Sequence, residues 1–200
     1  MRLKQISVVT LALSLLLYTI SSLSKLDPIK AEPAEIISGI TAEVMKIVSE
    51  APEYFEEDAD RYYQAVDKVL ADAVDWRGFA TGVMGRYASN SRYKSLDSEG
   101  QKQLRAQRDR FTLVLREVLI RSYAKGLLAF GGVEMQIEGV DTDPDRPALA
   151  TVTQSVRGEA GKVYMIRYRM GQYKDGVWRL RNLIIQNISL GEIYRNQFAE

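Results

Sequence analysis

The sequence predicts an α+β fold, with N-terminal helices packed on a C-terminal four-stranded antiparallel sheet. Three observations predict it. From Pro33 to about Phe130 the apolar residues recur at helical spacing, whereas from Val133 to Ile188 they are spaced as in strands. The strand segments follow one another through short turns, which joins neighbours antiparallel. Helices followed by strands, rather than alternating with them, imply two layers around one core. No internal repeat, low-complexity stretch or long linker separates the halves, and 200 residues suffice for a single domain with a proper core. One sheet face then meets the helices, leaving a wedge between the layers.

Each element has its own signal. Pro33 and Pro52 suit first helical positions, where a missing N–H costs nothing. The first helix presents Ile36, Ile37, Ile40, Val44, Ile47 and Val48 on one side. A second, from about Pro52, opens with Glu53, Glu56, Glu57, Asp58 and Asp60, acidic groups that favour a helix N-terminus, and then presents Tyr62, Tyr63, Val66, Val69 and Leu70. Asp75 is the expected N-cap of a third helix carrying Trp76, Phe79, Val83 and Met84. Ser98 and Gln101 form a capping-box pattern for a long fourth helix that ends near Phe130, before the Gly131-Gly132 stop.

In the second half, Val133, Met135 and Ile137 alternate with Glu134, Gln136 and Glu138, the period of a half-buried strand. A turn over 141–147 leads to a strand over 148–157, and Gly158 to Gly161 turns into a third over 162–170. On that third strand Tyr164, Ile166, Tyr168 and Met170 share a face. Asp175-Gly176 is a hairpin signal before a last strand from Val177 to Ile188, followed by a polar-aromatic cap, Tyr194 to Phe198.

Composition narrows the chemistry. The chain is 46% apolar and 26% charged, as a globular protein is. It has no cysteine and no histidine. That excludes disulfides, thiol nucleophiles, imidazole acid–base catalysis and metal sites built from those residues. No glycine-rich phosphate loop followed by lysine occurs, so nucleotide hydrolysis has no basis here. Asp141, Asp143 and Asp145 alternate as in a calcium loop, but position six is Arg146 and position twelve Val152, so a hairpin turn is expected instead. Asp72 and Asp75 sit at a helix junction, where capping accounts for them. No metal and no cofactor is therefore expected.

The N-terminus has export architecture. Arg2 and Lys4 precede an apolar run from Ile6 to Ile20 and the small residues Ser21-Ser22-Leu23-Ser24. The run falls short of the ~20 residues of a membrane span. A signal peptide over 1–24 is expected, with cleavage as late as 31. An uncleaved anchor is the alternative. Taking Arg2, Lys4, Lys25, Lys30 and Asp27 away from 27 basic and 26 acidic residues leaves 23 against 25, net −2, which is no nucleic-acid binder.

The fourth helix carries Phe111, Leu115, Leu119 and Tyr123 every four residues, with Val114, Val118, Ser122 and Leu127 alongside. That stripe is wider than one neighbour needs. Its other side holds Lys102, Arg105, Arg108, Arg110, Arg116, Arg121 and Lys125 against Asp109 and Glu117. Core packing and a solvated face are the plain readings; partner docking or a headgroup-facing role is the sharper one.

Four blocks, in order, resemble the MlaC-like (toluene-tolerance) family of periplasmic phospholipid carriers. They are Val74-Asp75-Trp76-Arg77-Gly78-Phe79-Ala80, Val83-Met84-Gly85-Arg86-Tyr87, Leu119-Ile120-Arg121-Ser122-Tyr123-Ala124 with Leu127, and the closing stretch Trp178 to Phe198. Three departures stand out: Ala88 for a tryptophan, Arg181-Asn182-Leu183 for Tyr-Asp-Val, and Asn187 for a glycine.

The resemblance implies a cone-like body over 32–200 with an apolar cavity between the layers. It implies no catalysis, but a periplasmic shuttle that encloses acyl chains and keeps outer-membrane lipid asymmetry. The implied partners are a phospholipid ligand, an inner-membrane ABC transporter with a lipid-binding ring and an outer-membrane lipoprotein–porin complex, with no nucleic acid. The energetics suit it: each methylene hidden from water contributes about 0.8 kcal/mol, so a lipid cannot cross an aqueous gap unescorted. The expected lining is Phe79, Val83, Met84 and Tyr87 from the third helix, and Phe111, Leu115, Leu119 and Tyr123 from the fourth. Ile166, Tyr168, Ile184 and Ile188 come from the sheet. Ser189, Tyr194 and Arg195 are expected to fix the C-terminal cap or to meet a headgroup. A ligand-free adaptor working through the basic helix side, and an enzyme on an α+β cone, are the competing readings.

Overall fold

Helices come first and an antiparallel sheet second in the structure, a computed structural model that describes residues 32–128, 134–158 and 161–199. The expected signal peptide, Phe130, Gly131-Gly132 and Val133 lie outside the described residues. Helix α1 is Pro33–Glu50, with Pro33 in its first turn and a reciprocal capping box between Glu32 and Glu35. The second helix starts later than Pro52 suggests. Ala51–Glu53 make a 3-10 turn, and α2, Ala59–Leu70, begins where the Asp58 carboxylate accepts the Arg61 N–H. A good cap outcompetes a proline that is only compatible with a start.

Helix α3, Trp76–Met84, begins as expected at Asp75, whose carboxylate accepts the Gly78 N–H at 2.8 Å. A 3-10 turn and the short helix α4, Asn90–Ser95, follow. They were invisible in the apolar spacing because α4 buries nothing. Helix α5, Ser98–Leu127, is the expected long helix, but its N-cap is Asp97, one residue before the expected Ser98.

The sheet is a five-stranded antiparallel meander in the order β1-β2-β3-β4-β5. Its strands are β1 Glu134–Asp143, β2 Arg146–Arg157, β3 Val163–Gln172, β4 Trp178–Ile185 and β5 Ile188–Ser189. The fifth strand arises because the expected run to Ile188 reverses at Gln186 and Asn187, both with positive φ (49° and 71°), a two-residue hairpin turn. Asparagine tolerates that conformation better than other residues with a side chain, which explains why Asn187 can stand in for a glycine. Helix α6, Leu190–Ala199, then closes the chain.

The first turn of the sheet is tight: the Asp143 carboxylate accepts the N–H groups of Asp145 and Arg146 and pairs with the Arg146 side chain at 2.7 Å. That pairing holds the Asp143 carboxyl below its ordinary range. Ala73 to Asp75 stitch α3 to the sheet: Leu180 N–H donates to Ala73 O and Asp75 N–H to Leu180 O, at 2.8 and 2.9 Å.

Burial divides into three clusters among the described residues. Val44, Val48, Tyr62, Val66, Ile120 and Ala124 join α1, α2 and α5. Phe79, Ala80, Val83, Leu115, Leu119 and Leu190 join α3, α5 and α6. Ile37, Ala150, Val152, Met170 and Trp178 join α1 to the sheet. A domain of this size ordinarily forms one contiguous core. The division marks an unfilled centre.

Asp75 serves both layers, since it also accepts the Tyr173 hydroxyl from the β3–β4 hairpin. Asp75→Ala is expected to lower the unfolding free energy by about 2 kcal/mol, the loss of a cap and of a cross-layer hydrogen bond. Asp75→Asn should lose less. Urea denaturation measures both; an unchanged midpoint for Asp75→Ala contradicts the assignment.

Candidate functional site

Between the helices and the sheet lies an apolar cavity of about 500 Å³, within the range of ~300–1,000 Å³ usual for ligand sites. Residues from all three clusters face it. Ile37, Ile40 and Val44 of α1 and Val66 and Leu70 of α2 make one wall. Phe79 of α3 and Leu119, Tyr123 and Leu127 of α5 make a second. The floor is sheet: Met135, Val156, Tyr164, Ile166, Tyr168, Leu180, Leu183 and Ile185, with Leu190 of α6 at one end. Among the described residues, no aspartate or glutamate is in this lining.

The sheet presents this face because cross-strand partners point the same way. Tyr168 pairs with Val152 and Leu183, and Ile166 with Gln154 and Ile185. The Tyr168 hydroxyl at the apolar floor is satisfied: it donates to Gln154 Oε1 at 2.7 Å, and Gln154 Nε2 donates to Thr41 Oγ1 at 3.5 Å. Burial pushes the Tyr168 phenol up to about 12. Tyr123 is likewise pushed to about 12, first by burial and then by the neighbouring Tyr194.

Of the residues expected in the lining, Phe79, Leu119, Tyr123, Ile166 and Tyr168 face the cavity. Val83, Met84 and Leu115 are buried elsewhere, Val83 and Leu115 in the α3–α5–α6 cluster. Tyr87 is exposed and Phe111 half-buried; both meet Phe198 edge-on, at 5.8 and 5.0 Å between ring centroids, and so pin α6. Ile188 lies on the hairpin, 58% exposed.

Ile184 is buried on the opposite side of β4 from Leu183 and Ile185. The cause is a bulge: Met170 pairs with Leu180 and Arg169 with Asn182, so Arg181 is an extra residue and the alternation shifts by one. The α1 and α2 wall was legible as apolar helix faces, without a signal separating cavity from core.

The expected cap residues divide as well. Ser189 Oγ accepts the Glu192 N–H and the Asn182 amide, so it caps α6 and ties it to β4. Arg195 Nε donates to Gly82 O at 2.9 Å.

The basic side of α5 is partly consumed internally. Arg116 pairs bidentately with Asp67, Arg121 with Asp60 and Glu117, and Arg108 donates to the Ala88 and Ser89 carbonyls. On the same helix Leu113, Val114 and Val118 are exposed, so the apolar stripe is wider than the core covers.

Comparison with known proteins agrees with this architecture. Residues 39–200 match the family model described as MlaC protein. The toluene tolerance protein ttg2D of Pseudomonas putida is 26% identical over 171 residues, which cover 84% of this chain and 72% of that protein. A solved structure of a phospholipid-binding protein from Ralstonia solanacearum, in complex with a phospholipid, superposes with a TM-score of 0.68 at 20% identity. The match covers 84% of this chain and 86% of that one. At that identity the likeness speaks for the fold.

The buried phenols set a pH dependence. Tyr62 and Tyr168 sit near 12 in the folded chain against 10 for a free phenol. The folded state therefore holds protons that the unfolded chain releases, and this contribution to stability is present below pH 10 and lost between 10 and 12. A tyrosinate absorbance titration should show phenols ionising only near pH 12, one fewer in Tyr168→Phe. Ionisation of every tyrosine near pH 10 in the folded chain contradicts the burial described here.

Proposed function

The chain belongs to the MlaC family, whose model spans residues 39–200, and from that premise we propose that it is a periplasmic phospholipid carrier. The observation that carries the reading is the apolar cavity of about 500 Å³ at the meeting point of three core clusters. Its lining offers an acyl chain contact on every side. The structurally similar phospholipid-binding protein from Ralstonia solanacearum, in complex with a phospholipid, supports the same cargo.

The mechanism is transfer between equally dry places. A chain of methylenes leaving a bilayer for water loses about 0.8 kcal/mol per group, whereas leaving for this cavity costs far less. If each methylene takes the ~30 Å³ of a water molecule, 500 Å³ holds roughly sixteen of them. One acyl chain fills the space, and a second lies along the mouth or widens it. Phe79, Leu119, Tyr123, Ile166 and Tyr168 contact the chain in this proposal, with Leu183 and Ile185 in place of Ile184.

Binding and release need no bond-making residue. Direction comes from partners: in the family's pattern, an outer-membrane lipoprotein–porin complex and an inner-membrane ABC transporter with a lipid-binding ring. Export would remove residues 1–24, or as far as 31, and leave the domain over 32–200 to shuttle lipid and maintain outer-membrane asymmetry.

The test is phospholipid transfer between donor and acceptor vesicles. The chain is expected to accelerate it, and Ile166→Trp to slow it. Tryptophan fills about two methylene volumes of the cavity; at about 0.8 kcal/mol each, lipid loading weakens roughly tenfold. A folded Ile166→Trp that transfers lipid as well as the parent chain removes the cavity from the mechanism.

A further inference from the structure

Helix α5 exposes aliphatic side chains on the side turned away from the core. Leu113, Val114 and Val118 are 68%, 53% and 44% exposed and lie on adjacent turns of one side. Single apolar residues on a surface need no account, but a contiguous patch does. The patch extends through Phe111, three residues before Val114, to Phe198, which meets Phe111 and Tyr87 edge-on and is itself 36% exposed.

The same side leads to the mouth of the apolar cavity. Val114, Val118, Ser122 and Gly126 follow one another at four-residue spacing, the repeat of a single helical row. Ser122 and Gly126 are exposed and also line the cavity, so the row passes from the outward patch to the opening. Among the described residues nothing stands over Gly126, where an added Cβ would find no atom within 4 Å.

Charge identifies the occupant. Arg110 stands one turn before the patch, and Arg121 and Lys125 one and two turns after it, all exposed, over about 22 Å of helix. Arg121 is taken by Glu117 and by Asp60 of α2. Among the described residues, Arg110 and Lys125 are in no ion pair, and neither is Arg86, which stacks on the Tyr87 ring at 4.9 Å. Three free cations thus surround an aliphatic centre. A bilayer with anionic lipid offers both complements within reach of one helix face: an apolar interior for the aliphatic groups, and phosphates to which arginine and lysine stems reach back.

We infer that this side of α5 docks on the surface of an anionic phospholipid bilayer, with Leu113, Val114 and Val118 in the headgroup layer and the opening at Ser122 and Gly126 turned toward the lipid. Such docking rests on the carrier reading above. A lipid that passes between equally dry places must meet the opening without crossing water, and a docked face removes that gap.

The chain has no cysteine, so Leu113→Cys places a single environment-sensitive fluorophore on the face. Val140→Cys, at a residue 41% exposed on β1, places it elsewhere. With vesicles of phosphatidylglycerol and phosphatidylethanolamine, the probe at 113 is expected to shift to the blue and to be quenched by brominated acyl chains, and the probe at 140 to do neither. Raising the salt from 0.1 M to 1 M shortens the Debye length from about 10 Å to about 3 Å and should weaken the response. Arg110→Gln and Lys125→Gln are each expected to weaken it roughly fivefold, the share of one basic residue near an anionic surface. Val114→Asp combined with Val118→Asp should slow transfer between vesicles roughly tenfold or more, with the lipid load of the chain unchanged. If that double variant fails to fold, the two glutamine variants decide.

A probe at 113 that stays in water while the chain transfers lipid overturns the docking face, gives it to a protein partner, and leaves the carrier reading standing. An equal response to vesicles of phosphatidylcholine alone overturns the charge match and the proposal with it. A chain that neither takes up nor transfers lipid overturns the carrier reading and the docking that rests on it.

Discussion

The structure depends on packing that goes around its centre rather than across it. Protein interiors close-pack, and a void has a cost of about 24 cal/mol per Å³. An apolar space of about 500 Å³ left empty forfeits the contacts that a close-packed interior makes. The cavity is therefore a place to be occupied, and its apolar lining decides by what. Water finds few partners there, because the Tyr168, Gln154 and Thr41 polar atoms already bond to one another. A hydrocarbon chain restores the missing contacts.

Keeping the layers apart needs struts, and they are polar and local. Val74 pairs with Leu180, so α3 hangs from the edge of β4. Asp75 holds the start of that helix and the Tyr173 hydroxyl together. At the other end, Asn182 Oδ1 accepts the Gly191 N–H while its amide donates to Ser189, fixing the entry to α6 against the sheet. Phe198 then lodges against Tyr87 and Phe111. These contacts set the spacing of the layers at the rim, and the apolar residues between them line the space rather than fill it.

Helix α3 and the capped part of α5 were legible in the sequence because a cap and a periodic face coincide there, at Asp75 and at Asp97-Ser98. The face of β3 was legible because four alternating residues agree. What escaped has physical causes. A bulge has no signature in the order of residues, so Ile184 read as an inward residue when Leu183 and Ile185 face the cavity. Tyr87 and Phe111 have the apolarity of a lining, but their partner is Phe198, some 87 residues or more along the chain, and nothing local announces that contact. Core and cavity residues share one chemistry, so their distinction is a property of the assembled layers.

The measurement that bears most directly on the occupied centre is native mass spectrometry of the full 200-residue chain purified without detergent, with lipid extraction alongside. A stoichiometric adduct with the mass of a phospholipid, lost on mild activation, is the predicted result. A bare protein mass under the same gentle conditions, with no uptake from phospholipid vesicles, would contradict the account and turn attention to the exposed Leu113, Val114 and Val118 side of α5 as a contact surface.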